Sequence, residues 1–225
     1  MKPLVLGNGL LGSEIIKLTG WDFVSRKSHN FNIENFESYI DSQYDTIINC
    51  VANTDTYSKD KDSHWDVNVK FVDKLIDYCN SNDVKLVHLS SDYLYTGSEV
   101  NASEESVPVH CDTWYGYTKL VSDALVQLRC KNHLLIRCTH KPTPFPYDNA
   151  WVDQVGNFDY VDIISNLIIK LIKKNLSGLY NVGTETKTMF ELASKTKTVN
   201  KSFAPVNAPK NTSMNIKKLL TDLNE

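Results

Sequence analysis

Short apolar runs alternate with longer amphipathic stretches along most of this chain. The first run, 4–6, ends at Gly7, and the stretch 10–18 then carries apolar residues at helical spacing before Gly20. The alternation continues through the rest of the sequence. It predicts strands at 21–25, 46–52, 85–90, 133–138 and 178–182, and helices at 34–42, 65–80, 115–128, 161–173, 189–193 and 215–223.

Strands that alternate with helices are typical of a parallel sheet that is covered by helices on both faces. We therefore expect an α/β, Rossmann-like doubly wound sheet with right-handed connections and a ligand beyond the carboxyl ends of its strands. The stretch 140–158 has several prolines and no period, which predicts a loop. We expect a single domain over 1–225, in which roughly 140–160 and 178–225 form a small C-terminal lobe.

The amino-acid composition is that of a globular protein. Of the 225 residues, 41% are hydrophobic and 23% charged, which excludes wholesale disorder. No apolar run approaches the ~20 residues of a membrane-spanning helix, and Met1 leads into a strand with no secretory cleavage site after it. The net charge of −3 leaves no basic surplus for a nucleic acid. We expect a cytoplasmic protein that binds neither membranes nor nucleic acids.

The cysteines and histidines do not form a metal-binding pattern. The five cysteines are an odd number without C-x-x-C spacing, which fits a reducing cytoplasm better than a disulfide framework or structural zinc. His29, His64, His110 and His133 are scattered without an H-x-x-x-H pair, so we expect no metal site. His88 lies within an apolar strand and is interpreted as a core residue. The cysteines are Cys50, Cys79, Cys111, Cys130 and Cys138.

A G-x-G-x-x-G motif lies between the first predicted strand and the first predicted helix. In such a motif the first glycine allows a tight turn, the second lets a pyrophosphate approach the backbone, and the third lets the helix pack closely on the strand. The N-terminus of the helix then favours an anion. This context predicts a dinucleotide site, although a glycine-rich turn without a ligand is the alternative. The motif residues are Gly7, Asn8, Gly9, Leu10, Leu11 and Gly12.

The second predicted strand ends in cations where an NAD site would carry an acid. A carboxylate at this point would hold the ribose 2′-hydroxyl group, but the strand is followed by Ser25, Arg26 and Lys27. Two cations favour a 2′-phosphate, so we expect NADPH, with NADH as the alternative cofactor. The other interpretation is that both cations are solvated surface charges.

A tyrosine and a lysine four residues apart begin the helix at 115–128. Tyr115 and Lys119 share one helix face. We expect the lysine charge to lower the pKa of the phenol and the lysine to hold the nicotinamide ribose. Ser91 directly follows the strand at 85–90, where its hydroxyl group could bind a substrate carbonyl that Tyr115 protonates. Ser91, Tyr115 and Lys119 are therefore our catalytic candidates.

These motifs resemble those of the extended short-chain dehydrogenase/reductases, and more narrowly those of the dTDP-4-dehydrorhamnose reductase family. The segment 89–97 follows the family signature S-T-D-Y-V-F-D-G closely, and 115–119 fits Y-G-x-T-K. The glycine turn at 7–12 matches as well, and 49–55 resembles the N-x-A-A-x-T-x-V-D strand end that passes along the cofactor. Weaker similarities lie at 66–69, 153–156 and 209–215.

The resemblance implies that NADPH reduces the C4 keto group of a nucleotide-linked 4-keto-6-deoxy sugar. Tyr115 would then donate the proton with Lys119 as its partner, while Ser91 orients the carbonyl. The related dehydratases have an Asp-Glu pair where this chain has Asp92 and Tyr93, which favours a reductase. The implied substrate residues are Ser91, Asp92, Tyr93, Tyr115 and His140. The expected cofactor residues are the six of the glycine turn, Ser25, Arg26, Lys27, Cys50, Val51, Ala52, Asn53, Tyr115, Lys119 and Cys138.

Two departures from the family pattern leave alternatives open. His140 stands where the family strand end R-T-S-W has its aromatic residue, so the sugar or its nucleotide could differ. The chain is also shortened between His140 and Asp153, which leaves a shortened substrate lobe and a nucleotide held loosely or by a partner subunit. The alternatives are a non-catalytic dinucleotide-binding regulatory or scaffold subunit, and a bifunctional epimerase/reductase. The resemblance is compatible with a homodimer.

Overall fold

The structure, a computed structural model, describes residues 1–109 and 112–224. Its strands are β1 (Pro3–Leu6), β2 (Asp22–Val24), β3 (Thr46–Asn49), β4 (Lys85–Leu89), β5 (His133–Cys138), β6 (His140–Lys141), β7 (Asn149–Trp151), β8 (Val155–Gly156), β9 (Asp159–Tyr160), β10 (Gly178–Val182), β11 (Lys187–Thr188), β12 (Asn200–Ser202) and β13 (Asn211–Thr212). Its α-helices are α1 (Leu10–Thr19), α2 (Arg26–His29), α3 (Lys61–Trp65), α4 (Phe71–Asn82), α5 (Trp114–Arg129), α6 (Val161–Lys173), α7 (Met189–Ser194) and α8 (Lys217–Leu223).

A six-stranded parallel sheet forms the centre of the described chain. Its strand order is β10-β5-β4-β3-β1-β2. Strand β1 lies between the two strands that follow it in sequence, with Leu4 opposite Asp22 of β2 on one side and opposite Ile47 of β3 on the other. The chain therefore passes from β1 to β2 on one side and then crosses back to β3 on the other side, and this change of direction opens a crevice at the carboxyl end of β1. The predicted α/β parallel sheet is confirmed.

Each face of the sheet is covered by its own layer of helices. Alternate residues of β1 point to opposite faces, so Val5 packs with residues of α1, α6 and α8, such as Ile15 and Ile168. Leu4 and Leu6 pack on the other face with α4 and α5. Burial on both faces explains why the central strands are continuous apolar runs rather than alternating ones.

Some predicted elements have the expected bounds and others do not. Strand β5 and helix α6 begin and end where the apolar pattern placed them. The helix expected at 34–42 is a single 3₁₀ turn at Phe36–Tyr39. The helix expected at 65–80 is divided by a π-helical turn at Asp66–Lys70. The loop expected at 140–158 contains β6, β7 and β8. Strand β6 pairs with β9 directly after this stretch, whereas β7 and β8 pair with β12 and β13, which lie more than 50 residues further along the chain.

A second, smaller apolar cluster lies in the C-terminal part of the chain. Phe145, Phe158, Met189 and Leu192 form it, between the short strands and α7. The predicted lobe at 178–225 also includes β10 and α8, which pack into the main sheet and its core. None of the helices in the described part of the chain is long and apolar enough to cross a membrane.

Candidate active site

The three glycines of the turn between β1 and α1 have different surroundings. Gly7 has φ +90°, a left-handed conformation that favours glycine. A β-carbon at Gly12 would lie 2.1 Å from the carbonyl oxygen of Gly7, so the helix could not pack this closely with any other residue. A β-carbon at Gly9 would meet nothing within 4 Å. The first and third glycines are therefore required by the fold, whereas Gly9 faces open space.

The N-terminus of α1 faces the same open space. Its N-cap, Gly9, has no side chain that could accept a hydrogen bond from the first amide groups of the helix. Leu10 is exposed, while Leu11 is buried in the core. Free amide groups and the positive end of the helix dipole form a site for an anion such as a pyrophosphate. The turn therefore fits a dinucleotide through its backbone.

Polar side chains occupy the end of β2. Ser25 is buried, and its hydroxyl group accepts a hydrogen bond from the Ser28 amide at 3.2 Å. Arg26 and Lys27 are exposed, and neither forms an ion pair with another described residue. Both cations are thus available to a phosphate group, while Ser25 is engaged in capping the short helix α2.

The backbone after β3 is held by a residue that the sequence did not single out as functional. The side-chain oxygen of Asn68 accepts a hydrogen bond from the Asn53 amide at 2.8 Å, and its side-chain nitrogen donates to the Asn53 carbonyl at 3.0 Å. The same nitrogen donates to the Thr118 hydroxyl group at 3.1 Å. Asn68 therefore fixes the segment that contains Val51, Ala52 and Asn53 relative to α5. Its place in the π-helical turn gave no sequence signal beyond the weak similarity at 66–69.

Two thiols lie close to Lys119. Burial raises the pKa of both Cys50 and Cys138 to about 12, and the charge of Lys119 acts in the opposite direction on each. The β-carbon of Cys50 is 3.3 Å from the position that a β-carbon on Gly12 would take. Both thiols are therefore neutral, and Cys50 is a small residue that leaves room for the glycine turn.

The three catalytic candidates converge at the carboxyl end of β4. Ser91 forms a side-chain hydrogen bond with Tyr115, and its hydroxyl oxygen also accepts from the Tyr93 amide at 3.2 Å. The ammonium group of Lys119 donates to the carbonyl oxygen of Leu89 at 2.6 Å. Ser91 and Lys119 are buried, whereas Tyr115 is partly exposed. Helix α5 and the strand end thus bring a hydroxyl group, a phenol and an ammonium group together.

The pKa of Tyr115 differs from the expectation that a nearby lysine lowers it. Burial raises the pKa of Tyr115 to about 12, and the hydrogen bond from Ser91 opposes this. Burial lowers the pKa of Lys119 to about 8, with Asp123 acting in the opposite direction. The expectation is not met because burial dominates the pKa of the phenol, while the Lys119 ammonium group is directed to the Leu89 carbonyl oxygen. Tyr115 is accordingly a protonated group at neutral pH.

Asp92 and Tyr93 lie next to each other but have different environments. The Asp92 carboxylate is buried and accepts hydrogen bonds from the hydroxyl groups of Thr139 and Thr212, so it ties β13 to the end of β5. Burial raises the pKa of Asp92. The Tyr93 ring lies edge-on to the Tyr115 ring, with centroids 6.1 Å apart. Tyr93 therefore faces the catalytic candidates, and Asp92 faces the lobe.

A cavity of about 650 Å³ lies between Tyr93 and the C-terminal lobe. Tyr57, Tyr93, Lys141, Tyr147, Trp151 and Met189 are among the residues that line it. His140 is not among them, and its buried Nδ1 atom has no hydrogen-bond partner in the described part of the chain. Burial lowers the pKa of His140 to about 4. A more open depression of about 500 Å³ lies along the free edge of β2, away from these residues.

The described residues contain no group of three or more His, Cys, Asp or Glu side chains that could hold a metal ion. His88 is fully buried, and its Nδ1 atom lies 3.1 Å from the side-chain nitrogen of Asn49. The core interpretation of His88 agrees with this contact. His110 and Cys111 lie outside the described residues.

Comparison with known proteins identifies one matching family model. The model is described as the RmlD substrate binding domain, and it matches residues 1–140. The spore coat polysaccharide biosynthesis protein SpsK of Bacillus subtilis strain 168 is 24% identical over 206 residues, which cover 80% of this chain and 72% of SpsK. The matched region contains the glycine turn and all three catalytic candidates.

Solved structures of low sequence identity share the fold. A dTDP-4-dehydrorhamnose reductase from Bacillus anthracis strain Ames, in complex with NADP, has a TM-score of 0.82 at 20% identity, and the match covers 98% of this chain and 92% of that chain. A UDP-glucuronic acid 4-epimerase from Bacillus cereus, in complex with NAD, has a TM-score of 0.78 at 19% identity. The match covers 100% of this chain and 90% of that chain.

Proposed function

The chain belongs to the RmlD substrate binding domain family of NAD(P)-dependent oxidoreductases, and we propose that it reduces the C4 keto group of a nucleotide-linked 4-keto-6-deoxy sugar with NADPH. The observation that carries the proposal is the convergence of Ser91, Tyr115 and Lys119 at the end of β4. These groups lie beside a cavity large enough for a small ligand. The homodimer stays a prediction.

Tyr115 acts as the proton donor in this proposal. Because its pKa is about 12, the phenol is protonated at neutral pH and can give its proton to a carbonyl oxygen that becomes negatively charged. The hydroxyl group of Ser91, which already contacts the phenol, can donate a hydrogen bond to the same oxygen. Two hydroxyl groups that converge in this way orient the carbonyl and stabilise charge on it.

Lys119 stabilises the phenolate that Tyr115 leaves behind. Its pKa of about 8 keeps most of the ammonium group charged at neutral pH although the side chain is buried. A cation on the same helix face as Tyr115 favours the deprotonated phenol after transfer. Its hydrogen bond to the Leu89 carbonyl oxygen fixes the position of the ammonium group at the end of β4. The same ammonium group can hold the ribose next to the nicotinamide.

The dinucleotide is held by three parts of the chain. Gly9 and the free amide groups at the start of α1 bind its pyrophosphate. Arg26 and Lys27, which have no ion-pair partner among the described residues, bind the 2′-phosphate. When bound, NADPH supplies the hydride. The backbone of 50–53, fixed by Asn68, forms the side of the crevice along which the cofactor lies.

Aromatic side chains lie on both sides of the cavity next to Tyr115. Tyr93 stands edge-on to Tyr115, and Tyr57 forms a side-chain hydrogen bond with Tyr93. Trp151 and Tyr147 line the opposite part of the cavity, on the lobe. Rings on both sides strengthen the hydrogen bonds to the substrate by lowering the local polarity.

The test is NADPH oxidation in the presence of dTDP-, UDP- and GDP-linked 4-keto-6-deoxy sugars. We expect consumption of NADPH with at least one of them, and the reduced sugar nucleotide as the product. Binding of NADPH without consumption with any of the three would instead favour the non-catalytic dinucleotide-binding subunit. Incorporation of solvent deuterium at C3 or C5 of the sugar would reveal an additional epimerase step.

A further inference from the structure

One cation lines the substrate cavity without a partner. Lys141 follows the end of β5 by three residues and lies in β6, where it is partly buried. Its side chain is part of the cavity wall together with those of Tyr93 and Trp151. Its ammonium group forms no hydrogen bond and no ion pair with any described residue. A cavity that is otherwise largely aromatic thus presents one free ammonium group.

The acidic groups near this cavity are already engaged. Asp148 is the other charged residue among those that line it, and it forms an ion pair with Lys197 at 2.6 Å. Asp92 is close enough for its charge to act on Lys141, but its carboxylate oxygens accept hydrogen bonds from Thr139 and Thr212. Asp92 also does not line the cavity. The inside of the cavity is therefore electrically positive.

An unpaired ammonium group among aromatic rings costs folding free energy. Burial lowers the pKa of Lys141, and the charge of Asp92 only partly opposes this. Phe145 and Trp151 beside it would pack at lower cost against an apolar side chain. A ligand that brings an anionic oxygen to the ammonium group would offset this cost, because hydrogen bonds between charged groups are the strongest available.

We propose that Lys141 binds an anionic group of the nucleotide sugar and thereby determines which substrates the cavity accepts. This inference rests on the proposed function, since it concerns the substrate of the same site. The ligand group is an oxyanion with two possible sources, the diphosphate bridge or a carboxylate on the sugar. Tyr93 lines the cavity with Lys141 and stands 6.1 Å, between ring centroids, from Tyr115. Tyr93 therefore connects the cavity that contains Lys141 with the proposed proton donor.

The experiment measures binding rather than turnover. UDP-glucose and UDP-glucuronic acid form a matched pair, because they differ in a hydroxymethyl or carboxylate group and share the diphosphate. Calorimetry on protein saturated with NADP⁺ measures their dissociation constants. The same measurement is made with the corresponding dTDP-linked glucose and glucuronic acid. The variants are Lys141→Met, which keeps most of the side-chain volume, and Lys141→Arg, which keeps the charge. Lys195→Met is the matched control, since it removes a cation that pairs with Glu185, and neither residue lines the cavity.

We expect Lys141→Met to weaken binding by about 10- to 100-fold, the usual effect of losing a hydrogen bond between charged groups. Lys141→Arg should recover much of this loss, and Lys195→Met should bind like the wild type. Thermal unfolding checks that all variants fold, and Lys141→Met should be at least as stable as the wild type because a buried charge is removed.

The source of the anion follows from the pair of probes. An equal loss for both assigns Lys141 to the diphosphate. A loss confined to UDP-glucuronic acid assigns it to a sugar carboxylate and would contradict the proposed 6-deoxy sugar, which carries no carboxylate. Wild-type affinities of Lys141→Met for both probes would overturn the inference and leave the proposed function intact. Absence of binding to the wild type with every probe would contradict the proposed function as well.

Discussion

The ammonium nitrogen of Lys119 lies 2.6 Å from the backbone carbonyl oxygen of Leu89, the last residue of β4. This hydrogen bond joins α5 to the strand end that Ser91 follows by two residues. Lys119 is almost fully buried. The contact therefore holds the Tyr-Lys face of the helix close to Ser91, and it keeps a charge inside the protein at a cost in desolvation.

The burial of Lys119 predicts a specific pH dependence of stability. Its pKa is lowered from 10.5 to about 8 in the folded protein, so the unfolded chain binds more protons between these values. The stability of the wild type relative to Lys119→Met should therefore be constant below about pH 8 and rise by about 3 kcal/mol towards pH 10.5. Urea denaturation of both proteins across this range measures the difference. A difference that does not change with pH would show that the ammonium group is not desolvated.

The glycine turn predicts opposite consequences for two similar substitutions. Gly12→Ala places a β-carbon 2.1 Å from the Gly7 carbonyl oxygen, and we expect a loss of at least about 2 kcal/mol in the free energy of unfolding. Gly9→Ala places its β-carbon in open space, so stability should change by no more than about 0.5 kcal/mol. The same methyl group lies where the pyrophosphate would bind and should weaken NADPH binding by about tenfold or more.

Thermal unfolding and NADPH titration of both glycine variants separate these effects. Gly9→Ala tests the cofactor site because its fold should be intact. Unchanged NADPH affinity in Gly9→Ala would mean that the dinucleotide does not approach this turn.

The cations after β2 predict the choice of cofactor. In Arg26→Ala/Lys27→Ala the partners of the 2′-phosphate are lost, and we expect NADPH affinity to fall by about 10- to 100-fold while NADH affinity stays the same. Fluorescence titration with both dinucleotides gives the ratio. Lys17→Ala is the control, because Lys17 is a cation of α1 that pairs with Glu14. Equal losses of affinity for the two dinucleotides would show that these cations are solvated surface charges.

The parts of the fold that follow from local pattern could be predicted from the sequence. Strand β5 is a continuous apolar run and α6 has apolar residues on one face, so their bounds were predicted correctly. The 34–42 segment shows where local pattern fails. Phe36 is buried by edge-to-face contacts with Phe71 and Tyr78, which lie in a distant helix. These contacts hold a 3₁₀ turn in place of the predicted helix, and no local pattern encodes them.

The features of the candidate site also differ in whether local sequence pattern predicts them. The glycine turn and the Tyr115–Lys119 pair follow from spacing along the chain, and the structure brings the latter to Ser91. The role of Asn68 depends on a hydrogen bond to Asn53, fifteen positions away. The raised pKa of Tyr115 and the free charge of Lys141 depend on burial by several elements. Such properties arise only when the chain is folded, so the sequence indicated the residues but not their environment.

The central claim is that Tyr115 protonates the substrate carbonyl oxygen. Its direct test is the kcat of Tyr115→Phe for NADPH oxidation with the sugar nucleotide that the wild type consumes. Tyr117→Phe is the matched control, because Tyr117 lies two residues along the same helix, is 40% exposed and stacks on Trp114 at a centroid distance of 5.0 Å. NADPH titration shows whether each variant still binds the cofactor.

We expect kcat of Tyr115→Phe to fall by about 10²- to 10⁴-fold, because the general acid is lost. Tyr117→Phe should turn over at the wild-type rate, and both variants should bind NADPH like the wild type. Turnover of Tyr115→Phe at the wild-type rate would contradict the account.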